Sequence, residues 1–113
     1  MNVFRQLELT YKGEVLTFTP SLAMLRGIKA KGVNNVVLAN RCITGGLDLE
    51  DLIIPHVAIL AEAGVTISDE ESYFYLSGGG NQEEIVSFQM AYAQSVLPAV
   101  DFGKKDADQD AKP

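Results

Sequence analysis

The chain has one cysteine, Cys42, and one histidine, His56. A single cysteine excludes an internal disulfide and any cysteine-rich metal site. Long apolar runs are also missing. No stretch reaches the ~18 uninterrupted apolar residues that a membrane span requires. The opening MNVFRQLELTYKGE lacks the basic start and apolar run of a secretory signal, so a cytosolic protein is expected. Positive charge is scarce: 9 Lys and Arg stand against 15 Asp and Glu, a formal net charge of -6. That balance argues against a general nucleic-acid or anionic-membrane binder, which would need a basic face. It leaves open protein partners, or an acidic decoy for a DNA-binding protein.

A hydrophobic content of 47% in 113 residues suffices for one modest core and one domain. We assign that domain to residues 1–102. The remainder, GKKDADQDAKP over 103–113, has no large apolar residue and is expected to be a disordered polar tail.

The longest amphipathic pattern runs from Leu47 to Leu76. Asp48 is placed to cap a helix, with Glu50 and Asp51 near its positive dipole end. Leu49, Leu52, Ile53, Val57 and Leu60 form one stripe at helical spacing. Ile54 and Ile59 lie off that stripe, so the helix is apolar on more than one side, as at a bundle centre or an oligomer contact. Pro55 removes an amide donor, which predicts either a short turn over 48–53 and a main helix from Pro55 to Ala63, or one kinked helix. Gly64 supplies the stop. Ser68 and Glu71 form a capping box. The short helix behind it carries Tyr73, Phe74, Tyr75 and Leu76. Three adjacent aromatics cannot all face one core, so at least one is expected to look outward. Gly78, Gly79 and Gly80 end the helix and read as a flexible connector; no GK[ST] follows, as a phosphate loop would need.

Upstream, period-two alternation on both sides of Lys12-Gly13 predicts a β-hairpin over 3–19, with Leu7, Leu9, Leu16 and Phe18 on its apolar face. Thr19 and Pro20 fit the cap and first position of a helix whose buried side is Leu22, Met24, Leu25 and Ile28. Asn34 or Asn35 begins another helix, stopped by Gly45-Gly46. Asn81, with Glu84 three residues on, resembles a second capping box. Ile85, Phe88, Tyr92 and Val96 share a face of the last helix, and Pro98 ends it. The expected fold is α+β and mainly α: an N-terminal β-hairpin, four or five short helices and a disordered C-terminal tail.

No catalytic constellation stands out. His56 falls on the apolar stripe without the partner that a general base needs, and reads as a structural histidine. Cys42 lies among Val, Leu, Ala and Ile and reads as a packed thiol. The acidic groups Asp48-Glu50-Asp51, Asp69-Glu70-Glu71 and Glu83-Glu84 mark separate helix starts, where capping and dipole complementarity explain them without metal. Neither a cofactor nor an enzymatic activity is expected.

In element order, and in the stretch LEDLIIPHVAILAEAGVTISDEE, the chain resembles the tail assembly chaperones of long-tailed bacteriophages and phage-like gene transfer agents. The likeness also takes in the hairpin LELTYKGEVLTFT and the helix start TPSLAMLRGIKAKG. It implies a small acidic holdase of the bacterial host cytoplasm, absent from the mature virion. Such proteins keep the tape-measure protein soluble while tail tube subunits polymerise around it. They tend to self-associate, and many are made in a second, longer form by a −1 ribosomal frameshift. Gly103-Lys104-Lys105 can be encoded as GGA AAA AAG, which holds a slippery run. A holdase needs exposed apolar surface, and Ile54, Ile59, Tyr73, Phe74 and Tyr75 are the candidate interaction residues. A small acidic inhibitor or a generic helical adaptor is the alternative; an inhibitor would need its carboxylates gathered on one surface.

Overall fold

A computed structural model describes residues 3–100; the expected tail and the Gly103-Lys104-Lys105 segment lie outside the described residues. The fold is α+β and mainly α. Strands β1 (Leu7–Tyr11) and β2 (Glu14–Phe18) pair antiparallel, with Leu9 opposite Leu16. Lys12 and Gly13, at φ 51° and 81°, make the two-residue turn between them, and this double left-handed conformation matches the strands' own twist. The buried face is Leu9, Tyr11, Leu16 and Phe18, while Leu7 at the open end is only half-buried.

Helix α1 spans Leu22–Ala30. Its cap is Ser21, whose hydroxyl accepts from the Met24 amide at 3.1 Å, not Thr19 as the Thr-Pro pair suggests. Pro20 therefore precedes the cap and is buried outside the helix. Met24 and Ile28 are buried and Leu25 half-buried, but Leu22 is 54% exposed. Helix α2 (Asn35–Thr44) is capped by Asn34. Asn35, its first residue, donates to the Leu25 carbonyl at 3.0 Å and accepts from the Tyr92 hydroxyl at 2.7 Å. One side chain thus ties α1 and α2 to the last helix.

Helix α3 (Leu49–Glu62) is a single helix that carries Pro55 in its interior. The carbonyl left without a backbone donor belongs to Asp51, an exposed residue that water can reach, which lowers the cost of the proline. Asp48 caps α3 through the Glu50 amide. The end is a Schellman turn: Gly64 at φ 94° lets its own amide donate to Ala61 and the Val65 amide donate to Leu60. Helix α3 packs against α1 and against all the helical elements that follow it. That central position buries Leu52, Pro55, His56, Ile59 and Leu60.

Helix α4 (Asp69–Phe74) starts with the expected capping box: the Glu71 amide donates to Ser68 Oγ and the Ser68 amide to Glu71 Oε1. The chain then widens into a π turn over Tyr75–Gly79, closed by the Gly80 amide donating to the Tyr75 carbonyl at 2.9 Å. The triglycine is therefore a built element and not a loose connector. Gly78 adopts φ 140°, and a β-carbon on Gly80 would come within 2.6 Å of the Tyr75 ring. Because Tyr75 is buried and cannot yield, Gly80→Ala is expected to destabilise the fold by about 1–3 kcal/mol. A chemical melt read by circular dichroism checks this; an unchanged midpoint would show that the ring has room to move.

Helix α5 (Gln82–Val96) closes the domain against β1 and α2. Asn81 caps it through the Glu83 amide at 2.8 Å. The second capping box expected from Asn81 and Glu84 does not form, because Glu84 is engaged elsewhere. None of the described helices is long and apolar enough to cross a membrane.

Candidate functional site

His56 sits at the centre of an aromatic cluster. Its ring stacks on Tyr75 at 5.4 Å and meets Phe88 edge-on at 4.7 Å and Tyr11 at 5.9 Å. Nδ1 lies 2.7 Å from the buried Ser72 hydroxyl, and Nε2 has no hydrogen-bond partner among the described residues. Burial holds the imidazole pKa down at about 4. Below neutrality it thus stays uncharged where a free histidine would take up a proton. Cys42, on α2, is half-buried, and burial pushes its thiol up to about 11, so it holds its proton. Among the described residues, no group of three or more His, Cys, Asp and Glu side chains is placed to hold a metal ion.

A second polar junction joins the hairpin turn to the first turn of α5. Glu84 accepts from the Lys12 amide at 2.9 Å, from the Gly13 amide at 2.8 Å and from the Tyr75 hydroxyl at 2.5 Å. The Tyr75 hydroxyl and the turn amides hold the Glu84 carboxyl below its usual range. Burial, together with the Glu84 charge, pushes the Tyr75 hydroxyl up in turn. Both groups act as fixed hydrogen-bonding parts at neutral pH.

The five candidate interaction residues separate. Ile59 is 0% exposed and Tyr75 3%, so neither faces outward. Ile59 lies off the main stripe, yet α3 is packed on that side as well and leaves Ile59 no outward surface. Tyr75 turns inward because the π turn carries its ring onto His56. Ile54 is half-buried, packed against the core at its edge. Tyr73 and Phe74 look outward, at 45% and 71% exposure.

Tyr73 lines one hollow and Phe74 another, while Ile54 lines the first of these and also a hollow beside α2 that Arg41 and Glu50 share. The first is a groove of about 470 Å³ between α3 and α4, lined by Ile53, Ile54 and Tyr73 with Glu50, Asp69 and Glu70. Two acidic helix starts, separate in sequence, therefore share one surface. The second hollow, of about 290 Å³, is lined by Lys12, Glu70, Glu71, Phe74, Tyr75 and Gly79. Phe74 lies against Gly79, where even a β-carbon would collide with its ring. No protein-family model, curated protein sequence or solved structure matches this chain.

Proposed function

We propose that this protein is a non-enzymatic tail assembly chaperone, acting in the cytoplasm of a bacterial host and absent from the finished virion. Its client is the tape-measure protein, joined by tail tube subunits when a longer form is made. The resemblance in element order motivates the reading. The observation that carries it is Phe74, a large aromatic left 71% exposed on a short surface helix with Tyr73 beside it. Side chains of this kind anchor protein contacts because they bury much apolar area at little entropic cost. A long, helical, aggregation-prone client offers apolar stripes that such an anchor covers, and the net negative charge favours keeping the complex dispersed.

The test is co-expression with the product of the longest adjacent open reading frame. The long partner is expected to become soluble and to co-purify. Phe74→Ala is expected to cut recovery about tenfold or more while leaving the melting midpoint of this protein unchanged. A partner that neither binds nor gains solubility would sink the chaperone reading. The carboxylates gathered around the α3–α4 groove favour a second reading, an acidic inhibitor of a basic protein. The apolar floor between them counts against it, since a charge mimic needs no hydrophobic seat.

A further inference from the structure

Charge is segregated along this chain. From residue 15 to 47 there is no Asp or Glu, and from residue 42 to 103 there is no Lys or Arg. The basic part forms α1 and α2. On α1, Leu22, Arg26 and Lys29 recur at i, i+4 and i+7, which places them on one face. All three are exposed. Neither Arg26 nor Lys29 makes an ion pair or a side-chain hydrogen bond among the described residues. The acidic part supplies the α3–α4 groove, with its Ile53, Ile54 and Tyr73 floor and its Glu50, Asp69 and Glu70 rim. An apolar residue followed along one face by two cations is the complement of an apolar floor bordered by carboxylates.

We propose that the α3–α4 groove of one copy receives the Leu22-Arg26-Lys29 face of α1 from a second copy. Leu22 enters between Ile54 and Tyr73, and Arg26 and Lys29 meet Glu50, Asp69 and Glu70. The two surfaces differ, so the contact is head-to-tail and each added copy presents the same pair of faces again. Such contacts close into rings or extend as helical filaments. Phe74, on the far side of α4, stays uncovered. The proposal does not depend on the identity of any client, because it concerns the isolated protein.

Analytical ultracentrifugation of the full chain tests it. The wild type is expected to associate as concentration rises. Arg26→Glu with Lys29→Glu, and separately Glu50→Lys with Glu70→Lys, are each expected to weaken association at least about tenfold, through like charges set face to face. Mixing the two variants is expected to restore it, since each then offers the other a complementary pair. Circular dichroism confirms that each variant is folded. Should the lysine variant fold poorly, Glu50→Gln with Glu70→Gln replaces it, with a smaller loss expected. A monomeric wild type at high concentration would overturn the proposal. So would charge-reversed variants that still associate like the wild type, or a mixture that fails to recover association.

Discussion

Replacing Phe88 with alanine is expected to cost about 3–5 kcal/mol. Phe88 is 1% exposed on α5 and lies against both His56 and Tyr92. The cavity would open at the meeting point of α3, α5 and the hairpin, where several elements must move together for the gap to close. A domain of this size has only about 5–15 kcal/mol of net stability, so the loss is a large fraction of the whole. Urea denaturation checks it: the midpoint should fall steeply for Phe88→Ala and hardly at all for Phe74→Ala. Similar midpoints for the two variants would contradict the burial pattern described above.

The second large effect is a pH dependence centred on His56. An unfolded chain protonates its histidine near pH 6.5, whereas the folded imidazole, held neutral by burial, does so only near pH 4. Between these values the unfolded state carries a proton that the folded state lacks. Stability from this group is therefore complete above about pH 6.5 and is lost as the pH falls toward 4, by about 3 kcal/mol in all. Glu71 and Glu84 act in the same direction but later. Their folded pKa values are lowered, Glu71 through the Ser68 hydrogen bonds and Glu84 through the Tyr75 hydroxyl, so their contribution fades only below the ordinary carboxylate range. Thermal melts across pH 7.5 to 4.5 should show the decline in the wild type and a flatter profile in His56→Gln, whatever that variant's starting stability. An equal slope in both would mean that some other group carries the proton.

Local signals were legible in the sequence; meeting points were not. The hairpin announces itself through alternation and the Lys12-Gly13 pair, and the α4 capping box through Ser68 and Glu71. Both depend on residues a few positions apart. Ile59 and Tyr75 looked available as contact residues because a helical wheel shows one element alone. Whether a second apolar side is free depends on how many neighbours α3 acquires, and here the side that carries Ile59 is packed too. Pro55 looked like a helix boundary, yet the carbonyl it leaves unpaired is one that water can satisfy. Glu84 illustrates the limit well. Its spacing from Asn81 fits a capping box, but two of its partners lie 72 and 71 residues away. The same holds for the acidic groove, since no local pattern says that two helix starts will share a rim.

That Glu84 junction sets the order in which the molecule can be completed. The hairpin leaves the ribosome before the helices, but its turn amides find their carboxylate, and β1 finds the α5 face it packs on, only after nearly the whole domain has been made. Contacts of such long sequence separation form late and slow folding. Until then β1 lacks the α5 face it packs on, and the apolar side of the hairpin is only partly covered, the kind of surface that draws aggregation in nascent chains. A chain stopped before α5 would leave that side of β1 open for good, whereas an extension added beyond α5 leaves the closure intact. The last helix thus works as the clasp of the first two strands, and a longer product from the same start would inherit a finished domain.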